Sequence, residues 1–533
     1  MQRSILHVLF LLTVIWAVCI FWIAPRPPLT DLPQHAGQVA LLHDLLTGNS
    51  PWLDTFRINL FTPYLLGYGF AVALSFLVPV GVAWKLTLSL AYLAFVCALV
   101  QLRKHFGGDH RLDWLFLLSF FGPAYAWGLL TFLAAAPLAI FLILLADRYT
   151  QTSSFRLGLA TALLGLLLLL SHGLVFVFGI AVSGAIYKLQ RWPKRSTLGR
   201  FIFESWPLLI PIAACAAYFL ISRQLEAQYG GVGNASFFQW DLNWKRLPKI
   251  FINSLGGEST LPVVICFIVL VSAPWVLGLR INRHRPATWL MFACTILIAL
   301  LVPTFAMATG ILYLRFALFT LPAYALMFTV PLKQAARDSA VAASATATGK
   351  SSGLARSLKA GVVPALVAVT WMVLGIHSFQ TWRFAKESQD FEPVLAAMKP
   401  RERVLSLPLD PKSQAARNPF AYLHYGVWYQ SEKQGLVDFN FAWLPPQVSR
   451  FKPDHLPAVA YGFEHLAVDF DWQKHNGELY RYFVVRHTGP LLLDIFRGAE
   501  CAPLEILNSG AWTLYERHDC TPKVLSQNVG GKQ

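Results

Sequence analysis

The segment Thr30-Asp31-Leu32-Pro33-Gln34-His35-Ala36-Gly37-Gln38 puts a carboxylate and an imidazole four positions apart, just past the first hydrophobic run. A carboxylate beside an imidazole can act as a general base that shares a proton or contacts a phosphate. An ionisable cluster at a membrane boundary is a pointer to function, because a spanning scaffold does not need it. The plain alternative is local: Pro33 pushes Leu32 out of helical geometry, so a helix starts near Pro33 with Asp31 as its N-cap. His172 interrupts the apolar run after Leu166–Leu170, between Ser171 and Gly173. An imidazole there needs a partner or a watery cavity, or makes a structural bond between helices. Arg315, in Tyr313-Leu314-Arg315-Phe316, could snorkel to the interface, or its guanidinium could hold a lipid-linked phosphate. Asp54 and Arg57 form a weaker pair of candidates, with mutual ion pairing as the alternative. Glu226 and Glu258 belong to a segment, 222–259, too long for a bare connector and suited to a mobile lid or binding loop. Gly128, in the turn Trp127–Phe132, permits close approach of backbone or ligand, with helix packing as the alternative.

These residues must be positioned by membrane helices. Of the 533 residues 56% are hydrophobic and only 14% charged, against about 25% charged in soluble chains. Apolar runs of roughly 17–22 residues recur between positions 4 and 378, each long enough to cross a bilayer. The expected spans are 4–24, 83–101, 113–127, 128–147, 157–171, 173–189, 203–221, 260–279, 287–304, 311–331 and 358–378. The first lacks a small-residue cleavage site and reads as an uncleaved anchor. The net charge of +16 comes from basic residues in alternate loops (103–111, 148–156, 188–200, 280–285, 333–337), the positive-inside pattern rather than a nucleic-acid footprint. With Phe61–Val80 as an interfacial or re-entrant helix, all these loops share one side. The expected architecture is a polytopic α-helical membrane protein of about eleven spans, N-terminus inside and C-terminus outside. Asp31, His35, the loop 222–259 and everything past residue 378 then face the same outer side.

The chain divides into a membrane part, 1–380, with a first outer loop 25–82 and a cytoplasmic Ala/Ser/Thr/Gly-rich linker 333–357, and an extracytoplasmic soluble part, 381–533. In the latter, Val404–Pro408, Tyr482–Val485 and Trp512–Tyr515 read as strands, and Phe391–Met398 and Pro490–Phe496 as helices, a small α/β domain. Cys501 and Cys520 flank the last strand and could close a disulfide on an oxidising side; the other five cysteines lie in apolar runs. There is no P-loop, nucleophile elbow, zinc-protease helix or dinucleotide fingerprint. Nothing in the sequence specifies a cofactor, and a divalent metal is compatible with it.

This layout resembles the GT-C superfamily of integral-membrane glycosyltransferases, in particular bacterial members whose first outer loop reads Asp-x-Pro-x-His. The resemblance rests on Asp31-Leu32-Pro33-Gln34-His35 after an N-terminal span, juxtamembrane helices 33–47 and 61–80, the turn at Gly128, His172, Arg315 and a C-terminal outer domain. It implies transfer, with inversion, of a hexosyl or pentosyl group from a polyprenyl-phosphate carrier to a lipid or glycan acceptor during envelope polysaccharide synthesis in a bacterial plasma membrane. It implies the base role for Asp31; the departing polyprenyl phosphate would then need positive charge, which Arg315, with His35 or His172, would provide. Members often carry a second acid directly after the first, where this chain has Leu32, and another in the second outer loop, where Gly128–Phe132 has none. Metal dependence is therefore open and His35 is left as the second polar group. A non-catalytic lipid or polysaccharide transport or assembly component is the alternative from another class; a histidine-based membrane acyltransferase would have only His172 to use.

Overall fold

The structure is a computed structural model that describes residues 2–191, 197–229, 238–256, 261–306, 309–331, 353–460, 462–491 and 494–518. Helix α1 (Gln2–Ile23) is followed by α2 (Leu32–Thr47), α3 (Leu65–Ser75) and α4 (Val80–Phe106). Among the described residues, six helices are long and apolar enough to cross a membrane: Ile5–Ile23, Val80–Phe106, Leu130–Thr152, Gly173–Arg191, Trp206–Leu225 and Lys359–Ala397. Shorter apolar helices occupy Leu65–Ser75, Phe155–Ser171, Leu261–Val276, Ala287–Leu301 and Leu314–Leu326. Every expected span except 113–127 coincides with one of these helices.

Residues 113–127 depart from the expectation of a spanning helix. They lie in two 3-10 turns, His110–Phe116 and Ser119–Phe121, and a single α turn, Pro123–Ala126. Pro123 excludes the helical region for Gly122, which is extended at φ −73°, ψ −162°. A Cβ at Gly122 would lie 3.1 Å from the Asn253 carbonyl oxygen. Leu115 through Phe121 are wholly buried, so protein rather than lipid surrounds this irregular backbone, the condition under which it is tolerated at membrane depth. The segment carries the chain from the end of α4 to Trp127, beside Asp31.

At the end away from Asp31, the fully buried Asp147 accepts from His105 (2.6 Å), Gln190 (2.6 Å), Gln151 (2.9 Å) and Arg285 (2.5 Å), and Arg103 pairs with Asp113 at 2.7 Å. The described basic loops meet there; Lys333, Arg337 and most of the linker 333–357 lie outside the described residues.

The C-terminal part is built on a mixed sheet. Its strands are β2 (Arg403–Pro408), β3 (Leu436–Val437), β5 (Tyr482–Arg486), β6 (Leu504–Ser509) and β7 (Trp512–Glu516), in the order β6-β7-β5-β2-β3. β2 runs parallel to β3 and β5, with Val404 opposite Tyr482. The expected strands and the helix Phe391–Ala397 are present. Pro490–Phe496 is not helical in its described residues: Ile495 and Phe496, neighbours in sequence, both bury beneath the sheet, and Gly498 turns the chain at φ +89°. Along β2 and β5 the side chains alternate between two cores. Val404, Tyr482 and Val484 join the core continuous with the helices; Leu405, Leu407, Phe483 and Val485 join a second one around Trp472. Cys501 is disulfide-bonded, and Cys520 lies outside the described residues.

The segment 25–82 is bound into this part rather than standing apart from it. β1 (Phe56–Ile58) pairs antiparallel with β4 (Ser449–Phe451). Arg26 pairs with Glu392 and Glu432, and the Trp52 indole N–H donates to the Gln434 carbonyl at 2.8 Å. The described residues of 222–259 include regular elements. The helix from Trp206 runs to Tyr229, Arg246–Ile252 is helical, and Phe238–Gln239 pairs with Phe305–Ala306.

Candidate active site

Asp31 is placed by its backbone. The Asp31 N–H donates to the Trp127 carbonyl at 2.8 Å and the Thr30 N–H to that of Ala126 at 3.3 Å. Gly128, at φ +73°, makes this approach possible, since a Cβ there would sit 3.0–3.1 Å from the Leu32 and Asp31 nitrogens and the Leu29 Cβ. The Asp31 carboxylate makes no capping bond to α2, although Asp31 occupies the N-cap position and Pro33 the first turn. The side chain is 12% exposed, and its Oδ1 lies 3.4 Å from Nε2 of His424. A buried carboxylate at a helix start that does not serve the helix is available for other work.

His35, one turn along α2, is 4% exposed and hydrogen-bonded through Nδ1 to the Tyr68 hydroxyl at 2.6 Å. The rings of Tyr68, Trp84 and Phe441 enclose it. Burial pushes its imidazole down to about 4, against a smaller opposing pull from Asp31. At neutral pH His35 is therefore uncharged; it can hydrogen-bond an anion but not neutralise one. His172 lies against Tyr64 and Phe132 and accepts the Leu174 N–H at Nδ1 (3.2 Å). Arg315 is 8% exposed and donates from Nε and Nη2 to the Gly310 carbonyl at 3.2 and 2.8 Å. Its charge acts on both His35 and His172. Asp31, His35, His172 and Arg315 thus form one electrostatic neighbourhood. Asp54 is exposed and Arg57 lies on β1 opposite Arg450, so neither belongs to it in the same way. The Glu226 side chain and Glu258 lie outside the described residues.

Three C-terminal residues that the sequence did not flag join this neighbourhood. His424 is 5% exposed and stacks on Phe439. Glu464, with its side chain 11% exposed, is pushed up to about 7 by burial; His424 draws it down and Asp31 pushes it up to a smaller extent. Its Oε2 is buried without a hydrogen-bond partner. His465, 3.8 Å from Glu464, also senses His424 and Asp31. The Asp31 and Glu464 carboxylates therefore sense one another electrostatically although their sequence positions are remote. The adjacent Glu464-His465 was the available signal, but such pairs are commonplace in polar sequence. Among the described residues no three His, Cys, Asp or Glu side chains converge in a metal-holding group.

No family model matches the chain, and no curated protein matches it. Among solved structures it is similar to the arabinofuranosyltransferase AftD from mycobacteria, determined by single-particle cryo-electron microscopy, with 14% identity and a TM-score of 0.47. The match covers 97% of this chain and 40% of that one, so the chain spans well under half the length of that protein.

Proposed function

We propose that the chain is a membrane glycosyltransferase that moves a sugar from a polyprenyl-phosphate carrier to a hydroxyl acceptor, using Asp31 as general base. The observation that carries this reading is the buried Asp31 carboxylate, which caps no helix and shares its surroundings with Arg315. In the reaction the acceptor O–H gives its proton to the Asp31 carboxylate as its oxygen attacks the anomeric carbon. The bond from that carbon to the phosphate oxygen breaks, the phosphate leaves with the electron pair, and the configuration inverts. Arg315 supplies positive charge for the leaving phosphate, where preorganised charge contributes most. His35 and His172 act as neutral hydrogen-bonding groups. The basic helix ends face the cytoplasm and the Asp31 end faces outward in a bacterial plasma membrane, with membrane lipids around the helices. The lipid or glycan acceptor approaches between the helices and the sheet domain.

The full chain in liposomes, incubated with a panel of radiolabelled polyprenyl-phosphate sugars and membrane-derived acceptors, should release free polyprenyl phosphate. A protein that only carries lipids leaves the sugar–phosphate bond intact, and that result overturns the proposal. Gly128→Ala provides a finer test. Its Cβ meets the Asp31 backbone, and the left-handed conformation adds about 1–2 kcal/mol of strain. A displacement of the base near 1 Å should lower turnover by about 10²-fold with the protein still monodisperse. Parent-like turnover would mean that the turn does not set the position of Asp31.

A further inference from the structure

We infer that His424, held in a single tautomer by Gln34, is a positioning residue that fixes the Asp31 carboxylate, so that the C-terminal part completes the active site. This rests on the reading of Asp31 as the base. The Phe441 backbone N–H can only donate, and its acceptor is Gln34 Oε1 at 2.9 Å. That fixes the orientation of the Gln34 amide, whose nitrogen then points to His424 Nδ1 at 3.2 Å and to the Phe439 carbonyl at 3.4 Å. An amide nitrogen has no accepting lone pair, so His424 Nδ1 must be the acceptor and carries no proton. The proton of the neutral ring is on Nε2, which lies 3.4 Å from Asp31 Oδ1. The separation is long for a hydrogen bond, as it often is in catalytic pairs before substrate binds.

Two consequences follow from the proton's location. His424 has no free lone pair facing the acceptor, since one ring nitrogen accepts from Gln34 and the other carries hydrogen. It cannot be the base, and the role stays with Asp31. Oδ1 is the oxygen that faces His424 Nε2, so Oδ2 is the one left to take the acceptor proton. The ring is itself fixed, stacked on Phe439 at a centroid distance of 6.0 Å and 17° and edge-on to Phe441. Phe441 also meets the His35 ring at 90°. The short turn after β3 therefore locks both histidines and the amide that selects the tautomer.

The test uses the full chain in lipid nanodiscs labelled with ¹⁵N-histidine, with His424 resonances identified by their loss in His424→Gln. The expected spectrum shows a bare Nδ1 and a protonated Nε2. Gln34→Glu, which presents oxygens to Nδ1, should bring a proton onto that nitrogen. A protonated Nδ1 in the parent protein overturns the inference, whatever the enzyme's activity. Turnover of a radiolabelled polyprenyl-phosphate sugar gives the second readout. His424→Phe keeps the aromatic stack and removes the donor, and should lose about 10²-fold in kcat. His424→Gln places an amide N–H near the position of Nε2 and should recover most of that loss. If the two variants are equally slow, or both match the parent while Asp31→Asn is dead, His424 does not position the base. Activity retained in Asp31→Asn would instead remove the base reading and leave the tautomer measurement standing.

Discussion

Asp31→Asn is expected to abolish transfer while leaving a folded protein. The amide keeps the shape of the carboxylate but cannot take the acceptor proton, and a positioned base contributes about 10²- to 10⁴-fold, or roughly 3–5 kcal/mol of barrier. The structural cost should be small for a specific reason. An N-cap replaced by a non-capping residue costs about 1 kcal/mol, but the Asp31 side chain makes no capping bond to lose. The backbone bond from Asp31 N–H to the Trp127 carbonyl survives, and an amide oxygen can occupy the place of Oδ1 facing His424. Thermal unfolding and size-exclusion profiles should therefore track the parent while release of polyprenyl phosphate vanishes. A fully active variant would rule Asp31 out as the base. An inactive but unfolded one would return the residue to a structural role.

How much of this was legible in the sequence depended on contrast. Asp31 stood out because a charge in a chain this apolar is conspicuous, and its two neighbours by position, Pro33 and His35, gave it a local geometry. The apolar helices were legible for the same reason. The irregular crossing 110–127 was not, since hydropathy measures burial, and Leu115–Phe121 are buried by protein as thoroughly as lipid would bury them. Only Gly122-Pro123 signalled a break. In the C-terminal part the β-branched and aromatic runs revealed strands, whereas Pro490–Phe496 has helical spacing on paper but its Ile495 and Phe496 serve a sheet face. His424, Glu464 and His465 were invisible for the opposite reason to Asp31. They lie in mixed polar sequence, where a histidine or glutamate is ordinary, and only the docking of the sheet domain onto the start of α2 makes them part of a site.

Arg315→Gln should be the other severe loss, because the electrostatic burden of the leaving group falls on this one side chain. A phosphate departing from the anomeric carbon gains negative charge as the bond breaks, so a cation beside it acts more strongly on the transition state than on bound donor. The two histidines offer little in its place: burial holds His35 down to about 4, so it is uncharged at neutral pH. Arg315 itself is 8% exposed, with Nε and Nη2 directed to the Gly310 carbonyl. That is a guanidinium fixed in place rather than one snorkelling to water, and its field already reaches His35, His172 and Tyr64. Removing a preorganised charge donor of this kind costs about 10²- to 10³-fold in kcat. Arg315→Lys should fall between, since an ammonium keeps the charge but loses the planar fork. Steady-state release assays on both variants separate the possibilities. A fall in kcat with little change in KM places Arg315 on the developing charge. A rise in KM alone makes it an anchor for bound donor, and parent-like values in Arg315→Gln take phosphate recognition away from this residue.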